Sequence, residues 1–137
     1  MKLKDIMTRD VEVVQPDESL QSAARKMKQR DIGFLPVCEN DRLVGTLTDR
    51  DITVEAVADG RDPKKTQVKD LVHSDVIWCY EDQDVTEGAQ LMEDKQVRRL
   101  MVVRRDDKKL VGVVSLGDLA THTKPKLFGE VLDKVSE

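Results

Sequence analysis

Long apolar runs are missing from this sequence of 137 residues. No segment approaches the roughly 18 consecutive apolar residues that a membrane-spanning helix needs. The first ten residues, MKLKDIMTRD, also lack the apolar stretch of a secretory signal. We therefore expect a cytoplasmic protein that makes no contact with a membrane.

Cysteine is equally scarce, and no basic tract stands out. Cys38 and Cys79 lie 41 positions apart and form no CxxC motif, so a reduced compartment is the simplest interpretation. The net charge of −4 offers no general attraction to phosphate backbones or anionic lipid. Nucleic acid is therefore not an expected partner.

The composition nevertheless predicts a folded protein. Hydrophobic residues make up 39% of the chain and charged residues 36%, which differs from the profile of a disordered chain. The length suggests one compact domain.

An internal repeat is the most informative feature. At an offset of 65 positions, residues 4–37 align with residues 69–102, and the offset becomes 67 after a polar turn near Arg104–Lys109. Identical pairs then continue, as LVG at 43–45 aligns with LVG at 110–112. The chain is therefore two copies of one unit.

Each copy predicts the same order of elements, β-α-β-β-α. A short strand (11–14 or 76–79) precedes an amphipathic helix with Asp17 or Asp82 as its N-cap. Two apolar runs then form a hairpin, and a second helix begins at Thr48 or Ser115. The expected apolar helix positions are Leu20, Ala23, Ala24 and Met27 in one copy and Val85, Ala89 and Met92 in the other.

These elements predict an α+β fold with pseudo-two-fold symmetry. A single copy of roughly 55 residues buries too little surface to be stable alone, so we expect the copies to pack sheet to sheet, leaving clefts along the seam. We place repeat 1 at 1–59, a polar linker at 60–67 and repeat 2 at 68–121. Residues 122–137 are expected to form an amphipathic helix with Leu127, Val131, Leu132 and Val135 on its apolar face.

The repeated segments GTLTDRDI at 45–52 and GVVSLGDL at 112–119 resemble the signature of the CBS domain. With the preceding KDIMTRDV and KDLVHSDV, the resemblance covers residues 4–120 and implies a tandem pair, a Bateman module. Such a pair is expected to bind an adenosine-containing ligand (AMP, ADP, ATP or S-adenosylmethionine) between its repeats as a regulatory sensor. The resemblance also implies a homodimer and a regulated protein partner.

The signature assigns ligand contacts to Thr48 and Asp51, and to Ser115 and Asp118. By the resemblance, the hydroxyl meets phosphate or ribose and the acid holds the ribose hydroxyls. A hydroxyl at a helix start beside exposed N–H groups suits a phosphate, and a carboxylate three residues on suits a diol. The same spacing also forms a capping box, in which both side chains satisfy the helix's own N–H groups.

Basic residues near the signatures differ between the copies. Arg98 and Arg99 stand at the start of a strand where family members often carry a phosphate-facing basic residue, and the planar guanidinium suits that task. The first copy has Gly33 and Phe34 there, so its nearest basic candidate is Arg50. Each arginine is otherwise a solvated surface side chain.

Six further residues complete the expected ligand site. Gly45 and Gly112 leave room for backbone to approach a ligand. Pro36 belongs to the family's Leu-Pro-Val, which the second copy replaces with Met101 in the same position. The resemblance places Thr8 in a segment whose backbone lines the base. Trp78 either stacks on the base, fills its space or serves as core filler.

No catalytic constellation is present in the sequence. His73 and His122 lack the spacing of HExxH or of paired metal ligands, and there is no Walker loop or GxGxxG motif. We therefore expect a protein that is not an enzyme and has neither metal site nor catalytic cofactor. The competing hypothesis is a dimerisation or interaction scaffold whose ligand pockets are degenerate and empty.

Overall fold

The computed structural model describes residues 1–122 and 125–136. Its strands form a two-stranded antiparallel sheet, β1–β2, and a three-stranded sheet in which β3 runs parallel to β4 and β5 antiparallel to it. The strands are β1 Phe34–Glu39, β2 Arg42–Thr48, β3 Trp78–Tyr80, β4 Arg99–Val103 and β5 Leu110–Ser115. The helices are α1 Leu20–Arg30, α2 Asp49–Asp51, which continues as a π-helical segment Ile52–Val57, α3 Val85–Lys95, α4 Leu116–His122 and α5 Pro125–Ser136. The α+β class is confirmed.

The chain divides into two compact units whose limits differ from the repeat limits in sequence. One unit, here called the Asp118 unit, combines Met1–Val11 with Ile77–Glu137. The other, the Asp51 unit, is Glu12–Val76. Residues 60–76 therefore belong in space with the first copy, and the first eleven residues belong with the second copy.

Residues 1–11 and 60–76 are here called the lead-in segments. A short 3-10 turn attaches each lead-in segment to its unit. In the Asp118 unit, the amide of Leu3 in the turn Leu3–Asp5 donates to the carbonyl of Gln83 at 2.9 Å. In the Asp51 unit, Val68 in the turn Val68–Asp70 donates to the carbonyl of Glu18 at the same distance. Leu3 and Val68 are fully buried, so each lead-in turn supplies an apolar residue to the core it joins.

The two hairpins are confirmed, and they differ at their turns. Asn40 and Asp41 join β1 to β2 with positive φ angles of 53° and 66°, as tight hairpin turns require. The longer turn between β4 and β5 carries the two extra residues that change the repeat offset. Its Arg104 donates from Nη2 to Asp107 Oδ2 at 2.6 Å, which ties the turn to itself.

The predicted N-caps Asp17 and Asp82 are wrong by two residues. Helix α1 begins after Ser19, whose Oγ accepts from the Ser22 amide at 3.1 Å. Helix α3 begins after Asp84, whose Oδ1 accepts from the Thr86 amide at 2.9 Å. Asp82 instead binds the guanidinium of Arg105 at 2.7 and 2.8 Å.

The predicted first strands are also shorter than expected. The strand expected over 76–79 is Trp78–Tyr80, and the one expected over 11–14 is a single parallel bridge between Val14 and Val37. Proline explains the difference between the copies. The Met101 amide donates to the carbonyl of Ile77, whereas Pro36, at the matching position, has no N–H to offer the preceding strand.

Each unit has its own aliphatic core. The periodic helix positions are buried as predicted except for Ala24, which is exposed. The expected C-terminal helix is α5, where Val131 is buried in the core of the Asp118 unit with Leu132 and Val135 packed against it. The side chain of Leu127 lies outside the described residues. No helix within residues 1–122 and 125–136 is long and apolar enough to cross a membrane.

Candidate functional site

The hydroxyl and acid of each signature bind each other's backbone. Thr48 Oγ1 accepts from the Asp51 amide at 3.1 Å, while Asp51 Oδ2 accepts from the Thr48 amide at 2.9 Å. Ser115 and Asp118 repeat this arrangement at 3.2 and 2.8 Å. Both signatures therefore form capping boxes, which hold the acid at the end of the strand and use its Oδ2.

The second oxygen of Asp51 is also engaged. His73 Nε2 lies 2.9 Å from Asp51 Oδ1, and the backbone of His73 is held by reciprocal hydrogen bonds to Thr46 of β2. The hydrogen bond to Asp51 and the charge of that carboxylate raise the pKa of His73. Both oxygens of Asp51 therefore already have a partner, so a ligand hydroxyl would share this carboxylate with the Thr48 amide and His73.

Asp118 stands in a different environment. Thr8 takes the place in the Asp118 unit that His73 takes in the Asp51 unit, with its amide donating to Val113 at 2.9 Å and its carbonyl accepting from Val113 at 3.0 Å. Within residues 1–122 and 125–136, Asp118 Oδ1 has no hydrogen-bond partner. Asp118 thus differs from Asp51, whose Oδ1 contacts His73.

The signature glycines are required by the chain's own packing. A Cβ atom on Gly45 would lie 2.5 Å from the carbonyl oxygen of His73, and one on Gly112 would lie 2.8 Å from that of Thr8. The lead-in segments therefore occupy the space beside these glycines, and the approach of a ligand there stays a prediction. The same contacts place His73 beside the first signature and Thr8 beside the second.

The arginines are placed unequally. Arg99 opens β4 and pairs in register with Ser115 at the end of β5, which brings it next to the hydroxyl of the second signature. Arg98 precedes it, and both side chains are exposed. In the Asp51 unit the corresponding partner of Thr48 is Phe34, and Arg50 points from the start of α2 as an exposed side chain.

The remaining predicted residues belong to the strands of the two sheets. Pro36 and Met101 are both buried in their sheets. Trp78 is 39% exposed, so its use as core filler is wrong. Its ring meets Tyr80 edge to face with centroids 5.0 Å apart.

Each unit has a surface cavity among its described residues. One of about 450 Å³ in the Asp118 unit is lined by Lys2, Tyr80, Asp82, Gln83, Glu87 and Arg105, which include none of the predicted site residues. The other, of about 350 Å³ in the Asp51 unit, is lined by Glu55, Asp59, Arg61, Asp70, Leu71, Val72 and His73. Neither Glu55 nor His73 was a predicted site residue, because nothing local in the sequence connects residue 73 to the signature helix.

The chain thus consists of two small α+β units, each of which ends a hairpin in the same hydroxyl–acid box. The CBS domain model matches residues 3–57 and 68–124. The chain belongs to the CBS domain family and contains two such domains in tandem. Proteins of this kind are typically regulatory and non-catalytic.

Relatives extend over most of the chain. It is 41% identical over 120 residues to the CBS domain-containing protein YhcV of Bacillus subtilis, covering 88% of this chain and 84% of that protein. It is 38% identical over 120 residues to Hypoxic response protein 1 of Mycobacterium tuberculosis, covering 87% and 82%. The crystal structure of Hypoxic Response Protein I with two coordinated zinc ions matches with a TM-score of 0.80 and 37% identity, over 90% of this chain and 100% of that one.

Proposed function

We propose that this chain is a non-catalytic sensor that binds an adenosine-containing ligand (AMP, ADP, ATP or S-adenosylmethionine) through the signature of the Asp118 unit. The observation that carries the proposal is the placement of Arg99 beside Ser115, whose backbone is fixed by Asp118. An anion-binding side chain and a diol-binding carboxylate therefore border the same strand end. Family membership supports the ligand class.

Each side chain has a separate task in this proposal. Asp118 keeps Oδ2 on the Ser115 amide and accepts the ribose hydroxyls through Oδ1, where a charge-assisted hydrogen bond is strongest. Arg99 offers its guanidinium to phosphate, or to the carboxylate of S-adenosylmethionine. The exposed Thr8 lines the base with its backbone, and the exposed Trp78 belongs to the same unit.

The Asp51 unit is the weaker ligand site in this proposal. Its carboxylate is already bound to the Thr48 amide and to His73, and the position of Arg99 is occupied by Phe34. A ligand there must share Asp51 with His73, and it meets Phe34 where the other unit has Arg99. We therefore assign adenosyl binding to the Asp118 unit first.

In this proposal, ligand binding regulates the protein by shifting the population of its molecules toward one arrangement. A ligand that binds one arrangement of the protein more tightly favours that arrangement by its differential affinity alone. The output is exerted on a partner protein or on the chain's own oligomer, for which we propose a homodimer. Val54 and Val57 on the π-helical segment are 51% and 66% exposed and offer an apolar surface for such contacts.

The test is calorimetric titration and thermal unfolding with AMP, ADP, ATP and S-adenosylmethionine. Ligand at 100 times its Kd stabilises the fold by about 2.7 kcal/mol. We expect Asp118→Asn to weaken binding at least tenfold and the matched Asp51→Asn to change it less than twofold. Equal losses in the two variants contradict the assignment to the Asp118 unit.

A dimerisation scaffold is the second candidate function. It is favoured by the capping boxes, which give Thr48 and Ser115 complete structural roles without a ligand, and by the exposed Val54 and Val57. The same titrations separate the two functions. Wild-type protein that forms a dimer and responds to none of the four compounds supports the scaffold and overturns the sensor.

A further inference from the structure

The side chains of Asp51, Glu55 and His73 converge in the Asp51 unit, whereas the proposed adenosyl ligand is assigned to the Asp118 unit. Asp51 ends α2, and Glu55 follows one turn later in the π-helical segment. His73 comes from the lead-in segment and is fixed to β2 by its backbone bonds with Thr46, at 3.0 and 3.1 Å. A helix and a strand-bound segment thus present their side chains to one point.

The distances are short enough for one ion. His73 Nε2 lies 2.9 Å from Asp51 Oδ1 and 4.0 Å from Glu55 Oε2, and the three donor atoms all lie within 4.8 Å of one another. Ligand bonds of about 2.0–2.2 Å in a tetrahedral zinc site place neighbouring donor atoms about 3.3–3.6 Å apart. Binding one ion would therefore require His73 and Asp51 to separate slightly and Glu55, whose side chain is 48% exposed, to move closer.

The donor set has the chemistry of a zinc-type site. One imidazole nitrogen and two carboxylate oxygens are ligands that Zn²⁺ accepts, whereas Ca²⁺ and Mg²⁺ prefer oxygen alone. Three protein ligands leave a fourth position for water. The cavity of about 350 Å³ that Glu55 and His73 line gives that position access to solvent.

The other unit provides an internal comparison. Asp118 matches Asp51, but the place of His73 is taken by Thr8, whose backbone pairs with Val113 as that of His73 pairs with Thr46. His122 aligns with Glu55, 67 positions on. In the described part of the chain, the cluster of three donors occurs in the Asp51 unit.

We propose that Asp51, Glu55 and His73 bind one divalent transition-metal ion of the Zn²⁺ class. Asp51 keeps Oδ2 on the Thr48 amide and gives Oδ1 to the metal, so the capping box stays intact. The ion replaces the direct contact between Asp51 and His73 with two metal bonds. Metal in this unit is independent of adenosyl binding at Asp118, so either proposal can fail without the other.

The experiment is calorimetric titration of chelator-treated, tag-free protein with Zn²⁺, with Mg²⁺ as the comparison ion. We expect one high-affinity Zn²⁺ per chain and no comparable Mg²⁺ binding. Visible absorption of the Co²⁺ form then reports whether nitrogen and oxygen ligands surround the ion. Absence of Zn²⁺ binding, or equal binding of Mg²⁺, overturns the proposal.

Matched variants identify the ligands. We expect His73→Gln and Glu55→Gln each to weaken Zn²⁺ binding at least tenfold, while Asp118→Asn and His122→Gln leave it unchanged. His73 and Glu55 are half-exposed, so both variants are expected to fold, which thermal unfolding without metal checks. Full affinity in His73→Gln, or an equal loss in His122→Gln, overturns the assignment and leaves an ordinary ion pair between His73 and Asp51.

Discussion

Gly45 lies directly against the backbone of His73. A Cβ atom at residue 45 would stand 2.5 Å from the His73 carbonyl oxygen and 2.4 Å from Cγ2 of Val72. Neither neighbour is the end of a flexible polar side chain, and the His73 backbone is tied to Thr46. The contact between β2 and the lead-in segment therefore depends on glycine having no side chain at residue 45.

We expect Gly45→Ala to lower the free energy of unfolding by about 1–3 kcal/mol, the usual cost of overpacking a tight contact. Urea denaturation measures it. Gly129→Ala is the control, since a Cβ there has no neighbour within 4 Å and α5 gains helix propensity, worth up to about 1 kcal/mol. A Gly45→Ala variant as stable as wild type would show that the lead-in segment moves aside easily.

The turn between β4 and β5 contains an ion pair that is expected to make the stability of the fold depend on pH. The hydrogen bonds from Arg104 and from the Lys109 amide lower the pKa of Asp107 to about 2. Because the folded pKa lies below the unfolded one, the pair stabilises the fold above about pH 4, and this contribution is lost as pH falls toward 2. Carboxyl NMR titration is expected to show Asp107 still ionised at pH 3.

Arg104→Gln is the matched variant for this turn. Its Asp107 pKa is expected to rise toward the ordinary value of about 3.9, while that of Asp82, paired with Arg105 instead, stays low. An unchanged Asp107 titration in this variant would assign the shift to the Lys109 amide alone.

The cysteines are expected to be unreactive in the folded protein. Burial raises the pKa of Cys38 and of Cys79 to about 11, and each residue is only 2% exposed. At pH 8 about one thiol in a thousand is ionised, and the thiolate is the reactive form. Titration with a disulfide reagent is expected to modify two thiols rapidly in denaturant and neither at a comparable rate in the native state.

The Cys38→Ala variant leaves Cys79 as the one thiol that can react, so it shows which cysteine accounts for any reaction. The two cysteines belong to different units. If one cysteine reacts quickly in native protein, the unit that contains it opens locally without global unfolding. Rapid reaction of both would contradict the packing of the two cores around them.

The helices and hairpins were predictable because local periodicity defines them. Leu20, Ala23 and Met27 occur at helical spacing on one face and are buried, and the second copy repeats the pattern. The helix starts were predicted two residues too early, because aspartate and serine are both good N-cap residues and helical periodicity does not fix the first turn. The structure selects Ser19, and Asp84 at the matching position.

The candidate site was predictable only in part. Duplication marked Thr48, Asp51, Ser115 and Asp118, and the structure places each hydroxyl with its acid. The contact of His73 with Asp51 was not predictable, since the residues are 22 positions apart and meet only after the lead-in segment reaches β2. Whether Asp118 binds an adenosyl ligand stays a prediction.

The lead-in turns have a consequence for how this protein can be divided. A fragment cut at the repeat boundary, such as residues 68–136, takes Val68 away from the core it fills and leaves Leu3 behind. Neither half would carry all the pieces of its own interior. The repeated sequence and the compact unit in space therefore have different limits, and each interior takes residues from both copies.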